Sequence, residues 1–186
     1  MKKRLNLPLS KADVMELHSG DSVLLSGVLY TARDAAHKRL VELINNEETL
    51  PFEIHNAAVY YVGPSPAGND MPLGSAGPTT SVRCDPYTPA LLERGLTVMI
   101  GKGKRSDYVK EAICEHKAVY LAATGGAGAL LSTCIKSAEV GAFDDLGTEA
   151  VRKLYVEDFP AVVINDCHGG DYYITARESY LKTIEK

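Results

Sequence analysis

Three stretches of this 186-residue chain carry cations where they could bind an anion, two of them beside hydroxyls or glycines. Residues 78–85, PTTSVRCD, place three consecutive hydroxyls, Thr79, Thr80 and Ser81, just ahead of Arg83. On a helical turn Thr79 and Arg83 share a face, because residues four apart lie one above the other. A hydroxyl beside a guanidinium fits a carboxylate, which arginine grips in a bidentate fork that lysine cannot copy. The same hydroxyls equally suit the capping of a helix. Residues 101–106, GKGKRS, follow an apolar run and precede a helical pattern, so Lys102, Lys104 and Arg105 lie at a strand end and a helix start. That setting fits an anion, or else a solvated basic turn. In residues 32–39, ARDAAHKR, Arg33 stands at a strand-to-helix junction, where a side chain can reach over the strand ends. His37 reads as a helix residue in the core or on the surface rather than as a base.

Stricter motifs fail. A phosphate loop ending at Gly103-Lys104 needs glycine at 98 and a hydroxyl at 105, where the chain has Val98 and Arg105. The dinucleotide fingerprint fails at Ser106, and again at Leu131 after Gly126 and Gly128. Asp166-Cys167-His168 offers ligand-type residues, but adjacent positions seldom converge on one metal. The cysteines Cys84, Cys114, Cys134 and Cys167 form no C-x-x-C pair, so no zinc or dithiol site is signalled.

Positioning these residues requires a scaffold of strands and helices. Residues 24–30, 57–62, 97–101 and 118–123 are short apolar runs of strand type. Residues 35–43 show helical spacing of Ala36, Leu40 and Leu43, and Ser106 is a candidate cap for a helix reaching about 116. Residues 125–131 read as a small-residue turn opening a short helix. Residues 151–156 and 161–165 read as two strands split by a turn at DFP, and residues 172–175 as a last strand. Between them lies the stretch 63–78, dominated by Gly, Pro, Ser and Asn, a long loop expected to be mobile and functional. Strands alternate with helices and then cluster, which implies an α/β class with a mixed sheet. No linker or repeat interrupts the chain, so one domain spans 1–186, with residues 1–20 as an N-terminal extension.

Composition narrows the function classes. With 45% hydrophobic residues the chain can bury a core without disulfides or metal. A net charge of −4 argues against a dedicated nucleic-acid binder. No apolar run reaches the roughly 18 residues of a membrane span, and MKKRLNLPLSKADV has no apolar signal region. The expectation is a cytoplasmic protein with no membrane partner.

Six segments in order resemble the β subunit, or C-terminal domain, of class I iron–sulfur hydro-lyases, the family of class I fumarases and L-tartrate dehydratases. They are SGVLYTARDAAHKR (26–39), YYVGPSPA (60–67), GPTTSVRCD (77–85), IGKGKRS (100–106), YLAATGGAGALL (120–131) and LGTEAVRKLYVEDFPAVVINDCHGGDYY (146–173). The likeness covers nearly all of the chain after residue 20. One departure is Cys84, where the familiar motif reads Arg-Met-Asp; it implies altered packing or a redox-sensitive thiol.

The resemblance implies a swivelling β/β/α domain packed on a partner. That partner is an α subunit carrying a [4Fe–4S] cluster, in an α2β2-type assembly, with no metal held by this chain. The chain is then one half of a split enzyme, a hydro-lyase active only with the α subunit. Arg33, Arg83 and Lys102 match the family's substrate-binding positions, and Thr79 and Lys102 its catalytic ones. The implied substrate is a small dicarboxylate. Reversible hydration of fumarate to L-malate, a step of the tricarboxylic acid cycle, is the leading reading, with L(+)-tartrate dehydration second. A non-catalytic swivelling module for binding or assembly is the alternative of another class.

Overall fold

Seven strands and six helices make up the computed structural model, which describes residues 2–68 and 71–184. The strands are β1 (Lys3–Leu7), β2 (Ser22–Thr31), β3 (Ala58–Tyr60), β4 (Val98–Gly101), β5 (Val119–Ala122), β6 (Ile135–Ala142) and β7 (Val151–Asn165). The helices are α1 (Lys11–Met15), α2 (Asp34–Asn45), α3 (Thr88–Glu93), α4 (Asp107–His116), α5 (Gly128–Thr133) and α6 (Tyr172–Ile184). Short 3₁₀ turns cover Ser81–Tyr87 and Asp144–Glu149.

The expected α/β class with a mixed sheet is what forms. Strands β2, β3, β4 and β5 pair in parallel, β5 pairs antiparallel with β7, and β7 returns antiparallel to β2. The pairing therefore closes into a ring of five strands. Closure is possible because β2 and β7, at 10 and 15 residues, are long enough to hold two neighbours along one edge. β2 carries β1 on its first half and β3 at its end, while β7 carries β6 and then β5. Both long strands bend at one place. The register slips between Leu25 and Gly27, where a Cβ on Gly27 would meet the Leu7 carbonyl at 2.6 Å. Opposite, Asp158 takes φ 49° and donates its N–H to the Ser26 hydroxyl. The bend at Asp158 is where the sequence suggested a turn between two strands. It is a bulge in one strand, a conformation aspartate tolerates.

Alternation along the ring sorts the core into two layers. Ala58, Tyr60, Val98, Ile100, Val119 and Leu121 meet Leu25, Leu29, Leu154, Val156 and Phe159 in one cluster. Side chains from all five strands can share contacts only inside the ring. The intervening Val59, Tyr61, Met99 and Tyr120 point outward and are covered by Ala36 and Leu40 of α2, Leu91 and Leu92 of α3, and Val109 and Ile113 of α4. β3, β4 and β5 are buried on both faces, which explains why the sequence shows continuous apolar runs there, whereas β2 and β7 alternate between buried and more exposed positions.

Three sequence expectations change. The first twenty residues, read as an extension, supply β1 and α1, and Leu7, Leu9, Val14 and Leu17 enter the inner core. Residues 172–175, read as a strand, open α6. Asp171 starts the helix by accepting the Tyr173 N–H on its side chain, and this local bond outweighs the β preference of two tyrosines and an isoleucine. The long loop is anchored over its described residues: Ser65 and Ser75 pair, Tyr60 donates its hydroxyl to the Ala76 carbonyl at 2.5 Å, and Leu73 and Ala76 are buried. The part of that loop at 69–70 lies outside the described residues.

Candidate active site

The parallel strands β2, β3, β4 and β5 all end on one side of the ring, and the residues that follow them build a crevice there. Ligands of parallel sheets usually sit at this end, because chain leaving the strands diverges and exposes backbone and side chains. Arg33 follows β2 by two residues and begins α2 in extended geometry, φ −106° and ψ −172°. The Ala32 N–H beside it donates to the Tyr60 carbonyl at the end of β3. The loop after β3 returns so that Thr79 donates its N–H to the Tyr61 carbonyl at 2.7 Å and its hydroxyl to the same oxygen at 3.0 Å. Lys102, just past β4, donates its N–H to the Thr79 carbonyl, and Ser81 donates its N–H to the Lys102 carbonyl at 2.9 Å. Residues 79–81 thus lie along 102 as one more parallel bridge. The 3₁₀ turn that follows carries Arg83. Arg33, Thr79, Arg83 and Lys102, far apart in sequence, are gathered at the ends of three neighbouring strands.

This junction is tight. A Cβ on Gly101 would lie 2.0 Å from the Ser81 oxygen, so only glycine lets the turn sit this close to β4. Tyr120 donates its hydroxyl to the Gly103 carbonyl at 2.9 Å and accepts from the Ser81 hydroxyl at 2.8 Å. Burial pushes the Tyr120 phenol well above its ordinary value, so it stays a neutral strut.

The cations divide into committed and uncommitted ones. Arg105, expected beside Lys102 and Lys104 as an anion ligand, points inward instead. Its Nε lies 2.6 Å from Asp85 Oδ1, with the two side chains 0% and 2% exposed. It also donates to the Thr88 hydroxyl at 2.7 Å and packs over the rings of Tyr61 and Tyr120. The other Asp85 oxygen accepts the Ser106 N–H, so the start of α4 is satisfied by Asp85 and not by the Ser106 side chain. Both features remove this helix start as an anion site. Arg83 and Lys102 are exposed and make no side-chain hydrogen bond or ion pair among the described residues. Arg33 is 20% exposed and lies 3.0 Å from Glu149 and 3.7 Å from Asp34, yet its buried Nε has no partner among the described residues. Lys102 also borders a cleft of about 400 Å³ closed on its far side by Tyr172, Tyr173 and Ala176 of α6.

Other sequence candidates fall away from the chemistry. His37 is fully buried, donates from Nδ1 to the Arg33 carbonyl at 2.9 Å, and is pushed down to about 4 by burial, so it is neutral near pH 7. Burial pushes the Cys84 thiol up to about 12, which opposes a reactive thiolate there. Asp166 is raised by partial burial but held below its ordinary value overall, by the N–H groups of Gly170, Ser19 and His168; it shapes a turn. No group of three His, Cys, Asp or Glu side chains converges among the described residues. Nor is any described helix long and apolar enough to cross a membrane. Sequence reasoning missed the roles of Asp85, Tyr120 and Glu149, and the bond that ties the Ser81 hydroxyl to Tyr120. Their roles rest on partners 20 to 116 residues away, for which no local pattern exists.

Comparison with known proteins gives consistent matches. The family described as fumarase C-terminus matches residues 1–176. Among curated proteins, the anaerobic class I fumarate hydratase of Escherichia coli is 37% identical over 177 residues, 93% of this chain and 32% of its own. Fumarate hydratase 2 of Leishmania major is also 37% identical over 177 residues, 93% of this chain and 31% of its own. A putative L(+)-tartrate dehydratase subunit beta of Methanocaldococcus jannaschii is 36% identical over 171 residues, 89% of this chain and 88% of its own. The chain thus spans about a third of the length of the fumarate hydratases it matches, and most of the length of the β subunit.

Proposed function

The chain belongs to the fumarase C-terminus family, and on that footing we propose that it is the β-type half of a class I hydro-lyase acting on a small dicarboxylate. The leading substrate pair is fumarate and L-malate, worked on in the cytoplasm. The observation that carries the reading is that the backbone sets Arg33, Thr79 and Lys102 at the ends of neighbouring strands, with Arg83 on the turn that follows, and that Arg83 and Lys102 are exposed with no side-chain partner among the described residues. A dicarboxylate brings two negative charges, and removing a proton next to a carboxylate adds more. Fixed cations aimed at that charge stabilise the transition state by several kcal/mol in a dry site. The same uncommitted cations count against a purely structural or assembly module.

Arg33 and Arg83 hold the carboxylates through their guanidinium forks, and Lys102 adds a point charge usable in both ground and transition states. Thr79 directs its proton to the Tyr61 carbonyl, which leaves its oxygen lone pairs without a donor among the described residues. Its role is at the proton in transit. A threonine hydroxyl is a weak base without an activating neighbour; among the described residues no basic side chain hydrogen-bonds to it, which leaves activation to the nearby cations. The [4Fe–4S] cluster implied for this family does not fit this chain, whose described cysteines form no convergent ligand set. The proposal places it on a partner α subunit in an α2β2-type assembly, against which this domain packs as a swivelling β/β/α unit.

The second reading, L(+)-tartrate dehydration, is favoured by one fact: the β subunit matching most of its own length is named for that activity. Both readings are tested in the enzyme assembled with its partner subunit. Arg83→Ala or Arg33→Ala should raise KM and lower kcat together, because an unpaired carboxylate in a desolvated site costs roughly 2–5 kcal/mol. That is a loss of about thirtyfold or more in kcat/KM. Unchanged kinetics in both variants would overturn the site assignment, and the ratio of kcat/KM for L-malate to that for tartrate separates the two substrates.

A further inference from the structure

Arg33 faces a carboxylate that no motif marks. Glu149 closes the 3₁₀ turn before β7 and brings Oε1 to 3.0 Å from Arg33 Nη2. The contact touches one end of the guanidinium. Arg33 Nε and Glu149 Oε2 are both buried and have no partner among the described residues. The pair touches at one point only, and Arg33, whose side chain is 20% exposed, keeps an Nη1 donor group that no described residue engages.

The turn bearing Glu149 is fixed from several sides. The Thr31 hydroxyl, at the end of β2 and two residues before Arg33, donates to the Ala150 carbonyl at 3.1 Å and accepts the Arg152 N–H at 2.9 Å. These bonds tie the residue after Glu149 to the strand that leads into Arg33. Arg39, one and a half turns along α2, grips Asp145 through both nitrogens at 2.7 and 2.5 Å and lies over the Phe143 ring. Arg152 donates to the Gly147 carbonyl at 3.2 Å. A Cβ on Gly63 would lie 3.0 Å from Arg33 Nη1 and 3.3 Å from the Thr148 carbonyl, so the guanidinium rests against bare backbone beside the same turn. The guanidinium is therefore walled by Gly63 and pulled by an immobile charge.

We propose that Glu149 is a positioning residue for Arg33: a fixed counter-charge that holds the guanidinium over the strand ends with its remaining donors turned to a substrate carboxylate. The inference rests on the reading that Arg33 binds a dicarboxylate. An opposing possibility has a different sign. A carboxylate near the site could act as a competitor that occupies Arg33 until a ligand displaces it. Removing a competitor improves substrate binding, whereas removing a positioner weakens it. The anchoring of the turn at Thr31, Arg39 and Arg152 favours the positioner, since a competitor must be able to leave.

The test has two parts. In the isolated full chain, the ¹⁵N–¹H resonance of Arg33 Nε, assigned by its loss in Arg33→Ala, reports how the guanidinium is held. Glu149→Gln should speed its exchange with solvent by about tenfold, and Glu149→Asp, which keeps the charge on a shorter stem, should fall between. In the assembled enzyme, Glu149→Gln should raise KM for L-malate and lower kcat/KM by about tenfold, with no further loss when added to Arg33→Ala. Unchanged Arg33 exchange, a lowered KM, or equal losses in both backgrounds each overturns the proposal. If exchange responds as expected while Arg33→Ala leaves dicarboxylate kinetics unchanged, the functional reading fails and the positioning stands. Should Glu149→Gln not fold, Glu149→Asp supplies both readouts, with the same opposing signs.

Discussion

Replacing Asp85 by Asn keeps the shape of a buried side chain and removes one charge. In the native protein Asp85 faces the Arg105 Nε at 2.6 Å and accepts the Ser106 N–H at 2.8 Å. Arg105 cannot reach water, since its side chain is 0% exposed, and it remains charged in the variant. A buried cation stripped of its partner costs about 3–5 kcal/mol. Weakening the Ser106 contact at the start of α4 adds roughly 1 kcal/mol. With a urea slope of about 2 kcal/mol per molar, the unfolding midpoint should drop by about 2–3 M. The double variant Asp85→Asn with Arg105→Met should recover most of the loss, because an apolar side chain of similar volume needs no counter-charge. The Thr88 hydroxyl keeps the Cys84 carbonyl as acceptor, so it is not stranded. Urea unfolding followed by circular dichroism measures both variants. A midpoint shift under about 0.5 M for the single variant, or no recovery in the double, would refute the claim that Arg105 is a structural cation.

Three further outcomes follow from the geometry. Thr79→Val in the assembled enzyme should lower kcat by about a hundredfold or more with KM nearly unchanged, as for a group acting on a proton in transit; parallel changes in both constants would assign it to binding. Gly101→Ala should destabilise by about 1–3 kcal/mol in thermal or urea unfolding, because its Cβ meets the Ser81 oxygen, and Ser81→Ala should relieve part of that cost. His37 has a folded value of about 4 against an ordinary 6.5. The unfolded chain therefore binds the extra proton between these pH values, and the stabilisation present above pH 6.5 is lost as pH falls toward 4. The loss is roughly 3 kcal/mol, read as the difference between wild type and His37→Gln in unfolding curves across that window.

Much of this protein is legible before any fold is known. Three of the parallel strands, β3, β4 and β5, are short apolar runs bounded by turn residues, the pattern that burial on both faces requires. α2 announces itself through Ala36, Leu40 and Leu43. Arg33, Thr79, Arg83 and Lys102 stand out because each lies in a short stretch whose residue types are unusual together, and the structure does gather them. Tertiary structure alone decides the rest. Whether a cation faces solvent depends on where its counter-charge falls: Arg105 is buried because Asp85 waits 20 residues upstream in chain and 2.6 Å away in space. Glu149 meets Arg33 only because β7 pairs with β2, a contact between residues 116 apart in sequence. Ring closure likewise depends on the lengths of β2 and β7 and the bulges that bend them, and β1 depends on β2, a partner outside its own segment. Periodicity reports local burial, whereas pairing across the chain is a property of the whole fold.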